Sequence, residues 1–293
     1  MDIRFWGTRG SIPAPGINTV RYGGNTACIE VRTNNLFLIF DAGTGIRELG
    51  NHLLEEFKEE SIVGHIFISH THWDHIQGIP FFLPGYYSRN RFTIYGPPET
   101  ELGIGNLLKR QMEKDFFPVP FTEMRANIKL VELKGEIILN RAKIAFQKIN
   151  HPAPTYAYRV TSNGKNVVYA SDNEPIYREI RKIVNGSEEI EVIKEIDEGL
   201  LEFVKGADVL ICDSQYTPEE YDKSKVGWGH STFVDAVNLA IRGNVKQLVL
   251  FHHDPNHSDD FIDEMVEKAK KILEEKNHYF PCFGARETMK ITL

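Results

Sequence analysis

Residues 65–75 constrain this chain more than any other stretch. An apolar run, His65-Ile66-Phe67-Ile68, leads straight into Ser69-His70-Thr71-His72-Trp73-Asp74-His75. Three imidazoles and one carboxylate therefore crowd into positions 70 to 75. Divalent ions take neutral imidazole nitrogen and ionised carboxylate oxygen. A tight turn at the end of a strand can aim His70 and His72 at one ion and Asp74 and His75 at a second. With 11 histidines in 293 residues, chance is a poor account of such a cluster. The fold must bring this turn to a place where distant segments can complete the ligand sets.

Three later segments end in the same way. Ile149-Asn150-His151-Pro152, Val167-Val168-Tyr169-Ala170-Ser171-Asp172 and Leu248-Val249-Leu250-Phe251-His252-His253 each run from apolar residues into a candidate ligand. Each ligand would then sit at the C-terminal end of a strand, where layered α/β proteins gather their sites. Asp41 closes the apolar segment before Ala42-Gly43-Thr44-Gly45 in the same manner. It is a candidate carboxylate for the second ring nitrogen of a ligating histidine.

The pattern His-x-His-x-Asp-His at positions 70–75, with these later motifs in this order, resembles the metallo-β-lactamase superfamily along nearly the whole chain. Within it the sequence is similar to the branch holding ribonuclease Z and the cyclic phosphodiesterase of phosphonate breakdown. The resemblance implies two divalent metal ions, zinc first, with manganese or iron(II) as alternatives. His70, His72 and His151 would hold one ion, and Asp74, His75 and His252 the other. Asp172 would bridge them, since one carboxylate offers two oxygens. Alternation along residues 247–252 leaves His252 and His253 on opposite faces, and the resemblance places the ligand at His252.

The same branch carries a His-Ser-Thr motif behind a strand-end carboxylate. Here these are Gly229-His230-Ser231-Thr232 and Asp213 of Val209-Leu210-Ile211-Cys212-Asp213. A buried Asp213 would orient and charge His230, which could then protonate a leaving oxygen. Asp74, His230 and Asp213 are thus the candidate catalytic residues. Arg9 and Asn25, in Gly-rich turns, and His253 and His257, beside the last ligand, are weaker candidates for substrate contact.

The implied activity is hydrolysis of a small or cyclic phosphodiester, a cyclic nucleotide or its like, by water activated at the ions. The alternatives are a thioester or acyl hydrolase of the glyoxalase II kind and an RNA 3′-end processing nuclease. His151 and Asp172 lie too close in sequence to admit the long arm that bacterial ribonuclease Z carries between them. A net charge of −7 gives no long-range steering toward polyanions. Both points disfavour a large nucleic acid as partner. The resemblance also suggests a homodimer, with the apolar stretch Pro80-Phe81-Phe82-Leu83-Pro84-Gly85-Tyr86-Tyr87 as a surface, a lid or plain core.

Cys28, Cys212 and Cys282 are scattered and odd in number, which argues for core thiols in a reducing, cytoplasmic setting. No apolar run approaches the length of a membrane span. The opening residues read as a strand and not as a secretion signal.

The element pattern predicts an α/β fold, a four-layer α-β-β-α sandwich formed by one domain over residues 1–293, the architecture that the resemblance also implies. Strands are expected at 2–6, 27–33, 36–41, 65–69, 92–95, 128–133, 143–150, 156–162, 166–171, 208–213 and 247–252. Helices are expected at 44–59, opening at a Thr44 cap, and at 101–114, 175–184, 189–205, 231–242 and 259–276. Residues 289–293 are expected to close the second sheet. No role suggests itself for residues 188–205.

Overall fold

The computed structural model describes residues 1–98, 102–184 and 187–293, with 177–184 and 187–193 described through their backbone alone. The first half supplies β1 (Asp2–Gly7), β2 (Cys28–Thr33), β3 (Leu36–Phe40), β4 (Val63–Phe67), β5 (Arg91–Gly96) and β6 (Asn127–Glu132). The second supplies β7 (Ile137–Leu139), β8 (Ala142–Ile149), β9 (Thr155–Ser162) and β10 (Lys165–Ala170). A hairpin of β11 (Ile176–Val184) and β12 (Ser187–Glu195) follows, then β13 (Val209–Asp213), β14 (Leu248–Phe251), β15 (Cys282–Gly284) and β16 (Lys290–Thr292).

Among the described residues these strands form two seven-stranded sheets. One runs β16-β1-β2-β3-β4-β5-β6 and the other β15-β14-β13-β10-β9-β8-β7. Each sheet is antiparallel on one side and parallel on the other: β3 to β6 are parallel, as are β10, β13, β14 and β15. Parallel strands end at the same edge, so the segments leaving β3, β4, β10, β13 and β14 emerge together. Those segments begin with Asp41, Ile68, Ser171, Ser214 and His252.

Three apolar cores lie between four layers. The central one packs Phe5, Phe40 and Phe67 of the first sheet against Tyr158, Tyr169 and Phe251 of the second. An outer core sets α1 (Gly45–Phe57) and α3 (Gly103–Arg110) on the first sheet. The opposite one sets α4 (Glu198–Val204), α6 (Phe233–Arg242) and α7 (Asp259–Glu275) on the second. Helix α7 buries Ile262, Met265, Val266, Ala269 and Leu273, spaced as one face of a helix requires. Each large apolar side chain so buried contributes roughly 1.5–3 kcal/mol. The predicted α-β-β-α sandwich is therefore the observed one. Two short helices, α2 (Trp73–Ile76) and α5 (Pro218–Ser224), lie at the sheet edge.

Four local expectations are corrected. Residues 175–184 and most of 189–205 are not helices. They form the β11–β12 hairpin, in register from Ile176↔Glu195 to Val184↔Ser187, followed by the one short helix α4. Residues 289–293 do not close the second sheet. Strand β16 pairs with β1 in the first, and β15 closes the second beside β14. Thr44 does not cap α1 through its side chain. Its Oγ1 instead accepts from the Thr26 amide, and Thr26 Oγ1 accepts from the Thr44 amide, both at 2.9 Å. The helix predicted at 101–114 is shorter, and Glu101 lies outside the described residues.

All three cysteines are buried and free, as expected. Within residues 80–87, Pro80, Phe82 and Pro84 are buried while Phe81 and Leu83 are about half exposed. No helix among the described residues is long and apolar enough to cross a membrane.

Candidate metal centre

The two sheets bring seven predicted ligands to one edge, in two clusters that share Asp172. In the first, His151 Nε2 lies 3.2 Å from His72 Nδ1, and His70 Nε2 lies 3.5 Å from Asp172 Oδ2. In the second, His75 Nε2 lies 3.2 Å from His252 Nε2, 3.3 Å from Asp74 Oδ2 and 3.1 Å from Asp172 Oδ1. His252 Nε2 is 3.2 Å from both carboxylates. Asp172 thus turns one oxygen to each cluster.

Between neutral rings these contacts do not make sense as hydrogen bonds. His75 Nδ1 faces Asp41 Oδ2 at 2.7 Å, and His252 Nδ1 faces Gln215 Oε1 at 3.2 Å. Each ring therefore carries its proton on Nδ1, and the two Nε2 lone pairs point at each other. Asp74 Oδ2 and Asp172 Oδ1 add only further acceptors. Four ligand atoms about 2.0–2.1 Å from a tetrahedral ion would sit about 3.4 Å apart, close to what the second cluster shows. In the first, His151 Nδ1 donates to the Gly229 carbonyl at 2.8 Å, so its Nε2 also presents a lone pair. His70 Nε2 is buried without a hydrogen-bond partner. The residues present fit a pair of divalent cations.

The electrostatics agree. Burial alone would push the Asp172 carboxyl up, but His252, His75 and His70 hold it well below the usual carboxylate range. Burial likewise opposes ionisation of Asp74, and His75 and His252 outweigh it. His70 is kept neutral, by burial first and then by His75. His75 is pushed up despite its burial, because Asp172, Asp74 and Asp41 surround it, so that without a cation they draw a proton to the Nε2 that would face one. Such a cluster is short of positive charge, and bound cations meet that demand.

Local backbone geometry presents these side chains. Asp41 and His252 each follow the last residue of a strand, Asp172 stands two residues beyond one, and the three have φ of 60°, 63° and 52°. This left-handed turn is uncommon outside glycine but tolerated by Asp and His. Ser11, at φ 65°, donates its amide to Asp74 Oδ2 at 2.7 Å. Gly10 and Gly229 leave room for ligand rings. A Cβ on Gly10 would lie 2.4 Å from the His252 ring, and one on Gly229, at φ +90°, would lie 2.2 Å from His151 Nδ1.

Asp41 lies where the sequence placed it. Its carboxylate takes the His75 proton, the Ser69 amide and hydroxyl at 2.7 and 2.8 Å, and the Tyr169 hydroxyl at 2.6 Å. Asp213 accepts from His230 Nδ1 at 2.8 Å and from the Gln215 and Ser231 amides. Burial works against the His230 cation, but Asp213 prevails and raises the imidazole to about 9. The ring stacks on His252 at 5.0 Å between centroids and lies 3.9 Å from Asp172.

The weaker candidates are not brought to the clusters. Arg9 is fully buried, and its guanidinium donates to the carbonyls of Gly23, Asp254 and His257 and lies 3.6 Å from Asp259. It fastens the N-terminal loop to the loop before α7. Asn25 is held by Glu287 through its amide and side chain. His253 turns the opposite way from His252. It donates to the Ala285 carbonyl at 3.0 Å, packs on Tyr22, and is driven down to about 3 by burial and by Arg9. His257 pairs with Glu220 at 2.8 Å.

Sequence reasoning missed two supports. Gln215 fixes the His252 ring. Glu174 accepts from the amides of Gly227 and Gly229 and so holds the loop whose carbonyl orients His151. Each stands two residues beyond a recognised strand-end Asp, which was the available signal.

A cleft of about 410 Å³ opens over the clusters, lined by Ser11, Thr71, His72, Trp73, Asp74, Asp172 and His230.

Comparison with known proteins agrees with this geometry. A family model described as "Beta-lactamase superfamily domain" matches residues 37–192, just over half of the chain. Ribonuclease Z of Prochlorococcus marinus (strain AS9601) is 26% identical over 312 residues, covering 93% of this chain and 95% of that one. Among solved structures, a diphosphatase from the PhnP family superposes with a TM-score of 0.67 at 18% identity, over 100% of this chain and 97% of that one. Human tRNase Z, short form, does so at 0.63 and 18%, over 100% and 99%.

The expectation that a large nucleic acid is disfavoured is corrected by the first and last of these, which are ribonucleases by name and match over nearly the full length of both chains. Net charge was the wrong guide, because it sums the whole surface and is blind to the potential at a cleft that holds cations. By its matching family model, its four-layer fold and its paired ligand clusters, the chain belongs to the beta-lactamase superfamily, as one of its metal-dependent hydrolases.

Proposed function

We propose that this protein hydrolyses phosphodiester bonds in RNA, as the name of its full-length relatives states for them, in the manner of a 3′-end processing nuclease. The observation that carries this reading is the Asp213–His230 pair set beside the two ligand clusters. An acyl hydrolase of the same fold has no need of a proton donor at that place. A phosphodiesterase does, because its leaving group is an alkoxide.

His70, His72, His151 and Asp172 would hold one cation, and Asp74, His75, His252 and Asp172 the second. When bound, such a pair neutralises phosphoryl oxygens and lowers the pKa of water. The chain's own residues do the rest. Asp41, Gln215 and the Gly229 carbonyl fix the tautomers of His75, His252 and His151, so that Nε2 of each faces its cluster. Asp213 holds one proton of the His230 cation on Nδ1, and the other, on Nε2, passes to the departing oxygen as the P–O bond breaks, leaving a neutral imidazole. His72, the most exposed ligand, and Ser11 border the path by which a phosphate enters.

The test uses the full chain reconstituted with Zn²⁺ or Mn²⁺, with Asp172→Ala as blank. Substrates are a labelled RNA hairpin with a single-stranded 3′ extension, a 2′,3′-cyclic nucleotide and a thioester. The expected result is cleavage of the RNA, abolished in the blank and reduced roughly 10²- to 10⁴-fold by His230→Ala. Turnover of the thioester or the cyclic nucleotide with intact RNA would overturn it.

A further inference from the structure

Trp73 stands between two candidate ligands, His72 and Asp74, yet its side chain is 82% exposed. Its backbone is fixed. The Trp73 carbonyl accepts from the Gln77 amide at 2.7 Å, and the His72 carbonyl accepts from the His75 amide at 3.1 Å. The main chain from which the indole projects is thus held beside both clusters, and the exposed ring lines the cleft. The other two tryptophans differ: Trp6 is buried, and Trp228, although exposed, is covered on one face by Lys225 Nζ at 3.8 Å.

An exposed indole that lines a catalytic cleft calls for a ligand that covers it. Every nucleobase has a π-face, and aromatic side chains bind bases by stacking without reading their identity. The remaining cleft lining is hydroxyl, imidazole and carboxylate, which leaves the indole as the one flat apolar surface there among the described residues.

We infer that Trp73 is the stacking platform for the nucleobase next to the scissile phosphate, and so selects phosphodiesters that carry a base over those that do not. This rests on the phosphodiesterase reading above and names the substrate feature that the same site recognises. Trp73 acts here as a specificity residue. It contributes to binding and leaves the chemical step to the other groups.

The test compares two esters that differ in the nucleoside alone: thymidine 5′-(p-nitrophenyl phosphate) and methyl p-nitrophenyl phosphate. Wild type, Trp73→Phe and Trp73→Ala are assayed with metal content and Tm checked for each. The expected result is a kcat/KM preference for the nucleoside ester over the methyl ester that falls roughly 5- to 150-fold in Trp73→Ala, chiefly through KM, and is largely restored in Trp73→Phe. An unchanged preference, or equal loss on both esters, overturns the inference.

A second readout needs no turnover. In a Trp228→Phe background, uridine monophosphate should quench and shift the fluorescence of Trp73, and ribose 5-phosphate should not. Quenching by both alike, by neither, or by raised protein concentration alone overturns the inference. If wild type hydrolyses no phosphodiester but uridine monophosphate still quenches, the phosphodiesterase reading fails while base binding at Trp73 stands.

Discussion

At the scale of single residues, two absent side chains shape the metal centre as much as the ligands that are present. Gly10 and Gly229 each lie against one ligand ring, and each ring serves a different cluster. A methyl group on Gly10 would displace His252, whose Nδ1 is already fixed by Gln215. One on Gly229 would displace His151 and would also strain a backbone at φ +90°. Loss of ring orientation typically costs 10- to 100-fold in metal affinity. Gly10→Ala should therefore weaken the cluster of Asp74, His75 and His252 by roughly that factor and spare the other. Gly229→Ala should do the reverse. Competitive titration with a chromophoric chelator counts the ions held at each affinity. Loss of both ions in either variant, or of neither, would show that the rings are not independently seated.

At the scale of elements, the site was more legible than the segments around it. Each ligand follows a short apolar run, and a run of that kind is a strand whose end can be read from sequence. The left-handed turns at Asp41, Asp172 and His252 could not be read, and they decide which way each side chain points. The turn at 252 also brings His252 to the second cluster while His253 faces the Ala285 carbonyl, a difference that the alternation argument left to the resemblance. The hairpin of β11 and β12 was misread because Ile176, Ile180, Ile183 and Val184 fit a helical period as well as they fit a strand. Their β-branched character, which favours a pleated strand, was the neglected clue. Strand β16 was misplaced for another reason: pairing between the two ends of a chain leaves no local trace. Helix α6 was read correctly, and its start is defined by a capping box in which Thr232 and Asp235 satisfy each other's amides. That start follows directly on His230. Thr232→Ala should cost about 1 kcal/mol of stability, seen as a lowered denaturant midpoint with an unchanged slope. A cost below a few tenths would mean that Ser231, whose hydroxyl donates to the Asn173 carbonyl and whose amide donates to Asp213, anchors the helix without the cap.

At the scale of the whole molecule, the candidate ligands come from both sheets. His70, His72, Asp74 and His75 follow β4 of the first, while His151, Asp172 and His252 follow β8, β10 and β14 of the second. Cations between them would tie the two halves of the sandwich together at an edge where the central apolar core gives way to buried, mutually repelling acceptors. Metal removal should then act on global stability as well as on activity. A ligand at a thousandfold excess over its Kd stabilises by about 4 kcal/mol. For domains of roughly 150–250 residues, 1 kcal/mol moves Tm by about 2–4 °C. Chelation should accordingly lower Tm by about 8 °C or more for each tightly held ion, reversed by adding Zn²⁺ back. Asp172→Ala removes the one group shared by both clusters and leaves their lone pairs without a bridge. Its Tm should start lower and respond far less to chelator. Full loss of metal with an unmoved wild-type Tm would place the ions outside the load path between the sheets. The edge would then be held by Asp41 with its network of Ser69, His75 and Tyr169, and by the bonds from the Tyr156 amide and Tyr158 hydroxyl to the Ser69 and Ile68 carbonyls.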